Sequence, residues 1–458
     1  MNDGQCEAAG HSKGRNVMTD FTRRETIKLG AAAAVAAGTA GLVGATRPRA
    51  QASLSFEPEA GAELRLLRWK RFVQGDEDAW NANTQKFTEA TGVKVRIDAE
   101  AWEDVRPKAA VAANVGSGPD IILGWFDDPH QYPDKLVPLT DLATYLGEKY
   151  GGWYDAAQRY GKRGDEWIGL PLGAAGACMV YRQSWVQEAG FETFPRDYQE
   201  VLACAKKLKE NGHPIGMALG NAVGDGNGWV HTILWGFGGK MVDDAGNVVL
   251  NSAETVAALE YVKELYENFV PGTLSWLDPN NNKAFLAGEL AATNNGISVY
   301  YAAKTSDDPA MQEVAKDINH VNMPIGPVGR PTELHLFTQA MVFNHSKYPN
   351  AAKEYLRFMW EREQYEPWQQ AAIGYISHPL DAYASNPVWT EDPKHTPYRD
   401  CVKNMLWNGY SGPLGYSSAA AMADYIVVNM FAQVCAGERS SKEAAEHAAS
   451  RAERYYRV

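Results

Sequence analysis

The sequence has no basic surplus. Its 44 Lys and Arg stand against 56 Asp and Glu, a formal net charge of −12, so no nucleic-acid footprint is present. Cysteine is scarce, with five in 458 residues: Cys6, Cys178, Cys204, Cys401 and Cys435. They form no C-x-x-C pair and no Cys/His cluster, which argues against a structural zinc site. No metal and no cofactor is expected, and a Cys401–Cys435 disulfide stays open. Catalytic signatures are missing as well: there is no H-E-x-x-H, no G-x-S-x-G and no Walker loop. The acidic pairs Asp127-Asp128 and Asp243-Asp244 are neighbours in sequence, whereas glycoside hydrolysis needs two carboxyls spaced across a cleft. The chain is not expected to be an enzyme.

What is present is a globular composition, 45% hydrophobic and 22% charged, with 14 Trp and 22 Tyr. A chain of this length exceeds one compact core and implies two or three domains. Flat rings with polar edges build cores, and they also build sugar-binding clefts.

The first 52 residues read as an address. Residues 22–28, TRRETIK, resemble a twin-arginine export signal, with Thr26 where phenylalanine is common. The apolar run 29–43 is too short for a stable membrane span. Ala50-Gln51-Ala52 is an A-x-A cleavage site, so cleavage after Ala52 and a soluble periplasmic protein are expected. Met18 competes with Met1 as the start.

Beyond it, periodicity gives β-α-β-α-β order. A strand ends at Trp69, a helix follows from Asp76, an alternating strand covers 93–98, and another helix leads to the apolar strand at 120–123. That order means a doubly wound, mostly parallel sheet. Residues 221–229, NAVGDGNGW, open a further helix. Their glycines lack the phosphate-loop spacing and its lysine, but Asp225, Asn227 and Trp229 could meet hydroxyls at that helix start. Residues 284–301, AFLAGELAATNNGISVYY, read as helix, glycine stop, short strand and polar loop. Gly288 leaves the helix with positive φ, and Asn294-Asn295-Gly296 ends the strand where open α/β sheets bind ligands.

Several passages carry a resemblance in sequence order: residues 118–125 (GPDIILGW), 235–255 (a Gly-Gly hairpin, then L-N-S-A-E-T), and the A-F-x-x-G-E-x-A run from Ala284. They resemble the sugar-type family of bacterial extracellular solute-binding proteins, which is maltose-binding-protein-like, over roughly residues 62–380. The resemblance implies an α/β fold of two lobes, the type II periplasmic-binding fold, each lobe a doubly wound mostly parallel sheet flanked by helices. Lobe 1 would comprise 53–172 and 327–376, and lobe 2 would comprise 173–326 and 377–458, joined by hinge crossings. It also implies a monomer that closes over a carbohydrate and delivers it to the permease subunits of an ABC transporter. Ligand-binding candidates at predicted strand ends are Trp69, Trp125, Asp127, Asn227, Trp229, Asn295, Tyr300, His335 and Tyr416. His378 beside Pro379 reads as structural. A binding protein for polyamines or another organic cation is the nearer alternative, since acids and aromatic cages suit cations. A periplasmic carbohydrate-active enzyme is the more distant one.

Overall fold

The computed structural model describes residues 54–457. The export signal, the cleavage site at Ala52, both candidate starts and Cys6 lie outside them.

The chain first builds the expected β-α-β-α-β unit. Strand β1 (Glu63–Trp69) alternates exposed and buried residues before becoming buried throughout. It pairs in parallel with β2 (Lys94–Glu100) from Glu63↔Lys94 to Trp69↔Glu100. β2 is the sheet edge, and its Lys94, Arg96, Asp98 and Glu100 deter further strand pairing. The intervening helices, Gln74–Thr91 and Trp102–Val115, each end at a left-handed glycine, Gly92 and Gly116. β3 (Ile121–Trp125), fully buried, pairs in parallel with β1. Asp76 sits in the first turn of its helix rather than capping it. Its carboxylate is buried against Arg68 Nη2 at 2.5 Å and Trp368 Nε1 at 2.7 Å.

The remainder of this sheet departs from the parallel expectation. A small hairpin, β4 (Lys162–Arg163) and β5 (Glu166–Trp167), precedes β6 (Leu170–Ala175). The chain then enters a second sheet through β7 (Cys178–Arg182), β8 (Ala292–Asn295) and β9 (Ile318–Val321), and returns as β10 (Leu336–Val342). β10 inserts between β3 and β6, antiparallel to both, and β11 (Ile376–Ser377) adds antiparallel to β6. The six-stranded order is β11-β6-β10-β3-β1-β2. The three-stranded order is β8-β7-β9, and every pair in it is antiparallel. The physical reason is connectivity: a strand arriving from another sheet does not need the crossover helix that enforces parallel pairing. The α/β fold of two sheets therefore stands, with parallel pairing confined to β1, β2 and β3.

Three passages link the sheets: between β6 and β7, between β9 and β10, and beyond β11. Helices Tyr198–Glu210 and Ala253–Tyr266 begin at Asp197 and Ser252, whose side chains accept hydrogen bonds from the first turn. The hairpin turn at Asp243 closes on hydrogen bonds from Ala245 and Asn247. The C-terminal region is three helices, Tyr416–Ala423, Ile426–Cys435 and Ser441–Tyr456. The span Tyr416–Cys435 is apolar enough to cross a membrane by length and composition. However, the backbone breaks at Tyr425 (φ 51°), and Ile426–Cys435 packs on the helices at 225–236, 253–266 and 441–456. Cys178, Cys204, Cys401 and Cys435 are all free, so the Cys401–Cys435 pairing does not occur.

Gly173 fixes the geometry of β6 between its two partners. Its φ is +142°, and an added Cβ would lie 2.1 Å from Ser377 O on β11. Gly173→Ala should therefore lower unfolding free energy by more than about 2 kcal/mol in urea titration.

Candidate functional site

The two sheets leave a cavity between them. On the side of the larger sheet its wall is Phe72, Trp102, Ala175, Leu336 and Tyr375; on the other side it is Gly224, Asp225, Asp278, Asn295, Gly296 and Ser298. Ala177, in the small-residue passage between β6 and β7, also lines it. In this conformation it is closed to about 20 Å³. An outer groove of about 380 Å³ shares Phe72, Trp102 and Asp278 and continues past Lys70, Arg71, Glu103, Asn282 and Lys283. A larger depression of about 690 Å³ lies on the outer edge at β2. Its charged groups are taken up by one another, as in Arg65–Asp98 at 3.2 Å.

The aromatic wall is layered. Phe72 follows β1 and Trp102 opens the helix after β2, with their rings 4.6 Å apart. Behind Trp102 lies Trp125 at 5.2 Å, and behind Trp125 lies Trp69 at 5.4 Å. The Arg68 guanidinium then sits over both Trp69 and Trp80. Trp125 Nε1 donates to Trp102 O at 3.2 Å, fixing the start of that helix. Trp102 is 8% exposed, Trp125 1% and Trp69 2%. Only the outer ring reaches the cavity.

The opposite wall is polar and rigid. Asp278 begins the helix Asp278–Leu286. Its Oδ2 accepts from Val223 N at 2.8 Å, and its Oδ1 accepts from Gly224 N at 3.0 Å and Asp225 N at 2.8 Å. These amides precede and open the helix Asp225–Gly236, so the carboxylate occupies a helix N-terminus, where negative charge is favoured. Asn281 Nδ2 donates to Asp225 Oδ2 at 2.7 Å and to Asn294 O at 2.9 Å, tying this helix to β8. Asn295 donates to Asn282 Oδ1, and Asn282 Nδ2 donates to Ser298 Oγ at 2.9 Å.

Three polar atoms on the cavity wall are left over. Trp102 Nε1 and Tyr375 OH are buried without a partner. Among the described residues no donor reaches Asp225 Oδ1, since its one side-chain bond is made by Oδ2. Burial pushes the Asp278 carboxyl up to about 6, against the pull of its three amides. Burial and the neighbouring Asp278 push Asp225 well above the carboxylate range. The two acids lie on one wall and resist ionising together.

Of the sequence candidates, Asn295 lies in the cavity wall. Trp69 and Trp125 back it as inner layers. Trp229 faces Phe269, and its Nε1 is taken by Ala218 O at 2.7 Å. Tyr300 donates to Asp392 Oδ2 at 2.6 Å, away from the cavity, while Tyr301 OH accepts from Gly75 N at 2.9 Å. His335 is buried, bridging Ala177 N at 3.0 Å and Glu333 Oε2 at 3.1 Å. Tyr416 is 64% exposed at a helix start and does not line the cavity. Asn227 lines a second space of about 10 Å³ together with Asn408 and Ser418, and Asp127 lies behind these two. Asp127 Oδ2 accepts there from Asn408 Nδ2 at 2.7 Å and Ser418 Oγ at 2.5 Å; burial pushes its carboxyl up to about 7. His378 is packed between Tyr154 and Trp389. Sequence reasoning missed Phe72, Trp102, Asp278 and Tyr375. The legible signals were an aromatic opening the helix after β2 (Trp102) and an Asp-Pro helix start (Asp278).

Residues 82–397 match the model of a family described as bacterial extracellular solute-binding proteins. The chain belongs to this family. As a member of an extracellular family it is an exported protein. Among its relatives, the diacetylchitobiose binding protein DasA of Streptomyces coelicolor is 24% identical over 322 residues, covering 68% of this chain and 72% of the relative. The putative ABC transporter periplasmic-binding protein YcjN of Escherichia coli is 22% identical, covering 65% and 68%. Among solved structures, maltose-bound MalE3 of T. maritima superposes with a TM-score of 0.74 at 17% identity, covering 86% of this chain and 99% of the other. A laminaribiose-bound sugar transporter protein of Arthrobacter chlorophenolicus gives 0.73 at 19%, with the same coverage. These likenesses show the type II two-lobe fold for this solute-binding protein.

The acid pair gives a signed pH prediction. The folded protein holds the Asp278 proton up to about pH 6, whereas an unfolded chain releases it near pH 3.8. The contribution to stability is therefore largest at the acid end and is lost as pH rises through that window. Asp278→Asn should lower stability at every pH, because an amide cannot accept from all three backbone donors. It should also flatten the fall between about pH 4 and about pH 6, as read from unfolding free energies across that range.

Proposed function

We propose that the protein captures a carbohydrate or polyol between two lobes, 53–172 with 327–376 and 173–326 with 377–458, and delivers it to the permease subunits of an ABC transporter. The observation that carries this reading is the cavity itself. Trp102 Nε1, Tyr375 OH and Asp225 Oδ1 are unused and surround the apolar faces of Phe72 and Trp102. A sugar presents hydroxyls around its rim and C–H faces above and below, and this wall offers the complement of both. The relatives named above, which bind diacetylchitobiose, maltose and laminaribiose by their descriptions, support the ligand class.

A space of 20 Å³ admits no sugar ring, so binding requires opening and reclosing about the three passages between the sheets. Tyr301 OH to Gly75 N is a bond between the two sides that opening would break. The ligand then shifts the protein toward the closed form by its preference for that form. Both acids stand on one wall, and Asp278 is committed to three backbone amides. That arrangement does not place two carboxyls on either side of a glycosidic bond, and it favours release of the ligand unchanged. Export by the twin-arginine route, cleavage after Ala52 and a monomeric state complete the proposal.

Titration calorimetry against sugars, polyols and amines tests it, with binding of at least one sugar or polyol expected; a response to aliphatic amines alone would contradict it. Trp102→Ala should raise Kd by about tenfold, ~1.4 kcal/mol. Unchanged affinity would remove that ring from the site.

A further inference from the structure

The cavity wall holds two carboxyls, Asp225 and Asp278, and none of its residues is Lys, Arg or His. The buried Arg68 behind the aromatic stack is already committed, because it pairs with Asp76 at 2.5 Å. Asp278 has both oxygens filled by backbone amides at the helix start, which supply partial positive charge. Asp225 lies in the first turn of the same helix, but its side chain accepts from no backbone amide. Asn281 gives one neutral hydrogen bond to Oδ2, and Oδ1 is left without a donor. Around it stand Phe72, Trp102 and Tyr375, whose ring faces carry negative potential. Tyr375 OH, 3% exposed and without a partner, is a second polar group in the same wall.

A neutral sugar hydroxyl would give Asp225 Oδ1 a hydrogen bond but no charge that lets it ionise beside Asp278. A protonated amine supplies both the donor and the opposite charge, and a charge-assisted bond of this kind is roughly twice as strong as a neutral one. An N-acetylated amine supplies the donor without the charge. The aromatic faces add to cation binding and to C–H stacking alike, so they favour a molecule that carries both.

We infer that the carbohydrate taken by this cavity is an amino sugar with a free, protonated amine, held at Asp225 Oδ1 between Trp102 and Tyr375. This rests on the carbohydrate reading and narrows it. The polyamine alternative shares the charge but not the sugar ring, so the two separate experimentally.

The test is calorimetry on the wild-type protein with three matched series, gluco, galacto and manno, each as the neutral sugar, the N-acetyl amine and the free amine, in mono- and disaccharide form. Spermidine is a fourth arm. The expected result is that in at least one series the free amine binds ten times tighter or more than both its neutral and its N-acetyl counterparts. Asp225→Asn, checked for folding by its thermal melt, should reduce that preference to less than about threefold. If some sugar binds but no series shows a tenfold preference for its free amine, the inference is overturned while the carbohydrate reading stays intact. Binding of spermidine without any sugar overturns the carbohydrate reading itself. If Asp225→Asn does not fold, the wild-type ranking alone decides.

Discussion

The cleft depends on one buried carboxylate. Asp278 accepts from three consecutive amides, Val223, Gly224 and Asp225, and so sets where the helix Asp225–Gly236 begins and where Asp225 points. Through Asn281 the same helical segment reaches the end of β8 at Asn294, so a loop, two helix starts and a strand end are locked together. Without that acceptor, three orphan amides would face a dry space, each at a cost of about 1–3 kcal/mol. Gly224 is part of the same constraint, since a Cβ there would lie 3.0 Å from the Trp102 ring and 3.2 Å from Asp278 Oδ1.

Facing this polar wall, the larger sheet contributes a stack. Trp102, Trp125, Trp69 and Arg68 run from the cavity into the core in successive contacts. The inner rings contribute burial and hold the outer ring at a fixed angle. Preorganisation of this kind reduces the ordering cost of binding. One wall is thus fixed by hydrogen bonds and the other by packing. That division suits a protein whose two sides must move relative to each other without either losing its shape.

Much of the fold was legible in the residues. The first β-α-β-α-β unit and the glycine stop at Gly288 (φ 78°) both follow from local periodicity and backbone chemistry. The direction of β10 did not, because an apolar run such as LFTQAMV carries no mark of parallel or antiparallel pairing. The short strand read within residues 284–301 is β8, and it pairs antiparallel to β7. At the site, the aromatic character of the wall was visible but its depth order was not. Trp125 and Trp102 are both tryptophans at element ends, and only tertiary packing decides which faces the cavity. Asp127 and Asn227 are polar residues at strand and helix ends, yet Asn408 and Ser418 from the C-terminal region bond the first and line a space beside the second. Tyr375 sits beside a glycine at the passage near β11, and its role depends on a neighbour about 150 positions earlier.

The most direct measurement is a crystal structure of the protein with the tightest-binding sugar. The account predicts the sugar ring against Trp102, with polar contacts to Asp225 Oδ1 and Tyr375 OH and the two sheets drawn together over it. Sugar bound elsewhere, with those atoms still lacking partners, would contradict it.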